Sequence, residues 1–88
     1  PLEYISELVH KYGGILHTDA TQAIGKISIN LKNLSTDLIT ISAHKFGGPV
    51  GIGALIYKKN LHLSPLISGG GQEFRLRPGT QNIIAIKG

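Results

Sequence analysis

The sequence predicts an α/β fold whose sheet is covered on both faces, and three observations carry that expectation. Two runs, Leu38-Ile39-Thr40-Ile41 and Ile52 to Tyr57, are almost continuously apolar, as buried strands of such sheets are. An amphipathic helical pattern over residues 1–12 precedes a third short strand at residues 15–18. Asp19 then follows one strand and Lys45 follows another, at the carboxyl ends where α/β sheets bind their ligands.

Taken in order, Pro1 suits a first helical turn, and Leu2, Ile5, Leu8, Val9 and Tyr12 share one helical face. Glu7 and Lys11 stand at the i,i+4 spacing of a helical ion pair, and Gly13-Gly14 stops the helix. After the first strand, Ala20 to Gly25 reads as a tight turn or a single helical turn. Ile27 and Ile29 alternate with polar neighbours as a minor extended segment, and Asn30 to Asp37 connects onward. Leu38 to Ser42 and Ile52 to Tyr57 are the second and third strands. The three consecutive glycines of Ser68-Gly69-Gly70-Gly71-Gln72-Glu73 make a flexible loop for close approach. Thr80 is expected to cap an apolar helix beginning at Gln81. Three strands and one complete helix cannot close a two-sided core. Residues 1–88 are therefore expected to be a partial domain, incomplete at both ends, belonging to something longer.

Composition narrows the function classes. A chain of 88 residues buries only about 60% of its unfolded surface. No apolar stretch approaches the ~18 residues of a membrane span, so no membrane is expected. Nine Lys and Arg against five Asp and Glu give a net charge of +4, but Lys11, Lys26, Lys32, Lys58 and Lys59 are dispersed without interleaved aromatics. That pattern favours an anionic ligand over nucleic acid. The absence of cysteine excludes disulfides, thiolate metal sites and a cysteine nucleophile within these residues. His10, His17 and His62 lack metal-ligand spacing, and no metal is expected. The stretch Gly47 to Gly53 lacks the Gly-Lys-Ser/Thr ending of a phosphate loop and precedes a strand instead of a helix.

An amine and a carboxylate at neighbouring strand ends suggest a cofactor site, and each requirement of a lysine Schiff base with pyridoxal phosphate has a candidate in these residues. Such a site needs an amine, an acid against the pyridine nitrogen, a donor near the ring hydroxyl and a cradle for the phosphate. Lys45 can supply the amine and Asp19 the acid. Gln22, three residues further on one turn, can reach the ring oxygen. Ser42 and His44 flank the lysine with a hydroxyl and an imidazole able to donate to phosphate oxygens, and Thr80 heads a helix whose free N–H groups favour an anion.

Five ordered motifs carry a resemblance across essentially the whole chain: His17-Thr18-Asp19-Ala20-Thr21-Gln22, Ser42-Ala43-His44-Lys45, Gly48 to Leu55, Gly69-Gly70-Gly71-Gln72-Glu73, and Arg77-Pro78-Gly79-Thr80. Together they resemble the cysteine desulfurase family, in the class V aminotransferase group of fold-type I pyridoxal phosphate enzymes. The resemblance implies that the chain is the central part of a three-layer α/β/α large domain with a mainly parallel sheet. It implies that Lys45 forms the internal aldimine, Asp19 pairs with the pyridine nitrogen, Gln22 contacts the ring hydroxyl, and Ser42 and His44 bind phosphate. Thr80 would reach the phosphate of the neighbouring subunit in a homodimer, with the glycine-rich stretch and Glu73 to Arg77 near that interface. Val50 stands where a lysine is common in the family and Pro78 where a serine is common.

The activity so implied converts L-cysteine to L-alanine and passes sulfur as a persulfide to an acceptor or scaffold protein, for iron–sulfur clusters and other sulfur-containing products. The setting implied is cytoplasmic, or mitochondrial in a eukaryote. The thiol this reaction needs is absent from these residues, so the segment alone is expected to be inactive. Another class V reaction, selenocysteine cleavage, or a non-catalytic remnant of a split gene are the rival readings.

Overall fold

The computed structural model describes residues 1–88. Helix α1 (Leu2–Lys11) leads to strands β1 (His17–Asp19) and β2 (Leu38–Ser42), a short 3-10 turn (Ala43–Lys45) and strand β3 (Gly53–Tyr57). A second 3-10 turn (Glu73–Arg75) and helix α2 (Ile83–Lys87) complete the chain. The sheet order is β1-β2-β3. β1 and β2 run parallel with Asp19 opposite Thr40, while β2 and β3 run antiparallel with Ser42 opposite Gly53. The α/β class holds, with a mixed sheet. Parallel pairing needs a crossover of about a dozen residues or more, and the link from Ala43 to Ile52 is too short to hold one. The longer link from Ala20 to Asp37 provides the crossover between β1 and β2.

The start of β2 is the fastening point of the molecule. Asp37 is buried, and its Oδ2 accepts from the Leu16 N–H at 2.8 Å and from His10 Nε2 at 2.6 Å. Its Oδ1 accepts from Lys58 Nζ at 2.8 Å. One carboxylate thus ties α1, the entry to β1 and the exit from β3 to β2. These donors, Lys58 first, then His10 and the Leu16 amide, hold the Asp37 carboxyl far below the usual carboxylate range against the opposing effect of burial. Beside it the buried Thr36 hydroxyl contacts the carbonyls of Leu16 and Leu38 at 2.8 and 2.9 Å and accepts from Thr18 Oγ1 at 3.0 Å. Ser6, the buried residue of α1, donates to the Ser35 carbonyl at 2.6 Å.

Apolar packing is sparse by comparison. Five of 88 residues are buried, and Ala20 and Ile39 are the apolar ones. The shortest dimension is 17 Å, room for two layers but not for three, since a helix alone is about 10 Å across. The expected shortage of cover is therefore visible: Leu2, Ile5 and Leu8 on α1, Tyr12 just after it and Leu55 on β3 remain exposed. No helix is long and apolar enough to cross a membrane.

Three local expectations are corrected. Lys11 does not pair with Glu7; its ammonium lies 5.9 Å from the Tyr12 ring centroid, and the ion pairs formed are those of Asp37. An exposed i,i+4 pair contributes only a few tenths of a kcal/mol, about 0.3–0.5, so a neighbouring ring suffices to displace it. Ile27 and Ile29 are not in a strand; the Ile27 N–H donates to the Ala23 carbonyl at 3.1 Å and continues the preceding turn. Helix α2 begins at Ile83 and not at Gln81, and its cap is Asn82, whose side chain accepts from the Ala85 N–H at 3.2 Å. Asparagine and threonine cap by the same mechanism, and Asn82 is the one adjoining the apolar run. Glu73, Phe74 and Arg75, after the triple glycine, all lie in the left-handed region at φ 46°, 56° and 67°, a costly conformation for residues with side chains.

Candidate functional site

Because β1 and β2 are parallel, their carboxyl ends lie at one edge of the sheet. Residues alternate between faces along a strand, and cross-strand partners share a face. The pairing therefore sets His17, Asp19, Leu38, Thr40 and Ser42 on one face with Leu55 and Tyr57, and Thr18, Ile39, Ile41, Ala54 and Ile56 on the other. The first face carries the polar groups, ending in Asp19 and Ser42. Thr40 and His17 on this face are hydrogen-bonded, His17 Nε2 to Thr40 Oγ1 at 2.7 Å.

Asp19 is exposed and closes an Asx turn, its Oδ1 accepting from the Thr21 N–H at 2.9 Å. Its carboxyl is held below the ordinary value, chiefly by the Thr21 hydroxyl, then by the Thr21 amide, with a smaller pull from His17 and a small opposing effect of desolvation. The effect strengthens a preference for the anion that any exposed aspartate has at neutral pH. Gln22 lies in the turn that follows, where its Oε1 accepts from Lys26 Nζ at 3.4 Å.

Across the edge, Ser42 ends β2 with Oγ 3.2 Å from His44 Nδ1. This is the one direct hydrogen bond among the predicted site residues. His44 and Lys45 occupy the 3-10 turn directly after the strand. The Ala43 carbonyl accepts from both the Phe46 and Gly48 amides, at 3.1 and 2.9 Å, which curls the chain so tightly that a Cβ on Gly48 would lie 2.8 Å from the Ala43 Cβ. Lys45 is exposed within residues 1–88.

The turn carrying Gln22 and the segment carrying Lys45 meet at Gly25, where an added Cβ would lie 2.7 Å from Phe46 Cβ. Asp19, Gln22, Ser42, His44 and Lys45 are thus gathered on neighbouring segments at one sheet edge. Thr80 is not among them: it lines a cleft on the β3 side with Gly53, Leu55, Arg77 and Pro78. No group of three His, Cys, Asp or Glu side chains is arranged to hold a metal ion.

The donor set fits pyridoxal phosphate. An ionised carboxylate suits a protonated ring nitrogen, a paired hydroxyl and imidazole suit phosphate oxygens, and a lysine amine lies beside them. Reasoning from sequence missed Thr21, which holds Asp19, and the His17–Thr40 pair. The available signal was the period of two: His17 and Asp19 on one strand, and Thr40 and Ser42 on the next, fall at every second position.

Residues 1–88 match the model of the aminotransferase class-V family, and the chain belongs to it. It is 48% identical over 88 residues to a cysteine desulfurase of Cereibacter sphaeroides, covering 100% of this chain and 23% of that relative. Among solved structures it resembles a NifS-like protein from Rickettsia africae ESF-5, with a TM-score of 0.89 and 45% identity over 97% of this chain and 24% of that one. It also resembles SspA, solved in complex with cysteine, with a TM-score of 0.86 and 41% identity over 98% of this chain and 25% of that one. The chain spans about a quarter of the length of the relatives it matches.

Proposed function

We propose that these residues are the central part of the cofactor-binding large domain of a pyridoxal phosphate-dependent cysteine desulfurase, converting L-cysteine to L-alanine with sulfur transferred as a persulfide. The observation that carries the reading is that Asp19 ends β1 while Ser42, His44 and Lys45 end or directly follow the parallel strand β2. Similarity along the whole chain to cysteine desulfurases supports the activity, and the cysteine complex of a relative supports the substrate.

Pyridoxal phosphate, when bound, supplies an electron sink that makes the bonds around the substrate's α-carbon labile. The chain's own residues position it. Lys45 would hold it through the amine and would hold or move a proton at its own Nζ. Asp19, ionised at neutral pH as an exposed carboxylate is, would hold the proton of the ring nitrogen. Gln22 would donate to the ring oxygen, and Ser42 and His44 would bind the phosphate. In a homodimer of the complete protein, Thr80 would reach the phosphate of the second subunit. The thiol that accepts sulfur lies outside these 88 residues, which contain no cysteine. Delivery to an acceptor or scaffold protein and a cytoplasmic setting belong to the same proposal.

The test uses the full-length protein that contains this segment. Pyridoxal phosphate is added, visible absorption is recorded, and borohydride reduction is followed by peptide mapping. The reading expects one adduct, at Lys45, absent in Lys45→Ala, and alanine formed from cysteine in step with sulfide released by a reductant. Adducts scattered over Lys11, Lys26 and Lys58 and unchanged in the variant would sink it. Alanine from selenocysteine but not from cysteine would leave the cofactor and overturn the substrate.

A further inference from the structure

Asp19 is bracketed on its own face of the sheet. His17 precedes it by two residues on β1, and Thr40 stands opposite it on β2. The two brackets are joined to each other, His17 Nε2 to Thr40 Oγ1 at 2.7 Å. From the far side, the Thr21 amide holds Oδ1 at 2.9 Å. The His17–Thr40 bond is exposed within residues 1–88, where water can replace either partner and the net stability it contributes is small. Its place beside the acid of the proposed cofactor site gives the imidazole a chemical reason.

We propose that His17 is a positioning residue for Asp19: its bond to Thr40 fixes the imidazole and the hydroxyl against the carboxylate's flank and keeps that carboxylate aligned with the ring nitrogen of the bound cofactor. The inference rests on the pyridoxal phosphate reading and adds to it a residue that touches neither cofactor nor substrate. Thr40's hydroxyl can donate to a neutral ring nitrogen or accept from an N–H, so the bond survives protonation of His17. The imidazole contributes to the field at the ring nitrogen, so the bound cofactor's visible band is expected to respond to its removal. The other titratable groups on or beyond this face are Asp19 on the same strand, His44 and Lys45 after β2, and Tyr57 on β3, across Leu38.

The experiment compares full-length holoenzyme carrying His17→Phe, His17→Gln, Thr40→Val and the pair His17→Phe with Thr40→Val. The readouts are the dissociation constant for pyridoxal phosphate and the pH midpoint of the bound cofactor's visible band, with thermal unfolding of the apoprotein as a check on folding. His17→Phe and Thr40→Val are each expected to weaken cofactor binding about three- to tenfold and to move the midpoint, with the double variant no worse than either single one. His17→Gln, which can still bond Thr40, is expected to restore binding to within about twofold but not the midpoint. Folded single variants whose affinity and midpoint both match the parent would overturn the proposal. So would effects that simply add in the double variant. A parent that forms no Lys45 adduct would overturn the cofactor reading and this inference with it; a normal Lys45 adduct with indifferent His17 variants would overturn the inference alone.

Discussion

Gly25 and Phe46 touch where only a glycine fits. The Gly25 backbone has φ 77°, and a Cβ there would lie 2.7 Å from Phe46 Cβ. The contact joins the turn that holds Gln22 to the segment that holds Lys45. Gly25→Ala meets both a left-handed backbone and a steric clash, and is expected to cost about 1–3 kcal/mol. In the full-length protein, calorimetric unfolding should show the loss. Titration with pyridoxal phosphate should show weaker binding than in an exposed-site control such as Lys59→Ala. Unchanged affinity would mean that the two segments do not depend on this contact for their spacing.

Asp37 is expected to govern acid stability. Its carboxyl titrates below its unfolded value, so the folded state holds fewer protons than the unfolded one under acid conditions. The stabilisation is complete above the ordinary aspartate value of about 3.9 and is lost as pH falls below it toward the lowered folded value. Asp37→Asn should flatten the acid limb of a plot of unfolding temperature against pH. At neutral pH, Asp37→Ala should cost about 2–3 kcal/mol, less than the 3–5 kcal/mol of a fully buried pair. The discount follows from its partners, since the His10 and Lys58 side chains are 40% and 43% exposed.

Asn82 and Thr80 separate two roles that the sequence assigned to one residue. Asn82→Ala removes the bond to the Ala85 amide and should cost about 1 kcal/mol, read as loss of protection of the α2 amides in hydrogen exchange. Thr80→Ala should leave that protection unchanged and weaken pyridoxal phosphate binding severalfold in the proposed homodimer of the full-length protein. An effect of Thr80→Ala on the helix amides would restore it as the cap.

Asp19→Asn keeps the shape and removes the charge. In the full-length enzyme turnover should fall at least about a hundredfold, equivalent to roughly 2.7 kcal/mol of barrier, with the Lys45 adduct still formed. Turnover within tenfold of the parent would show that the carboxylate is not the partner of the ring nitrogen.

The strands were legible because buried strands leave unbroken apolar runs, and the edge of the proposed site because Asp19, Ser42, His44 and Lys45 sit at or directly after strand ends. Boundaries were less so. The first strand was expected at residues 15–18 and lies at His17–Asp19, since pairing with Leu38, Ile39 and Thr40 decides which residues extend, and Ile15 is left 61% exposed. The direction of β3 depends on the length of its link to β2 more than on any pattern within it. The Asp37 cluster was invisible for a further reason: His10, Leu16, Asp37 and Lys58 are far apart in sequence, and no local periodicity marks partners that meet only when three segments close together.

That cluster also sets an order of assembly. A chain made from its amino end presents His10 and Leu16 before Asp37, and Lys58 follows Asp37 by 21 residues. The polar frame can therefore be completed as soon as β3 is made, before the glycine-rich loop and α2 exist, by closures of modest length. What this frame then holds open to the rest of the nascent protein is its uncovered apolar surface, Leu2, Ile5 and Leu8 on one helix and Leu55 on the sheet.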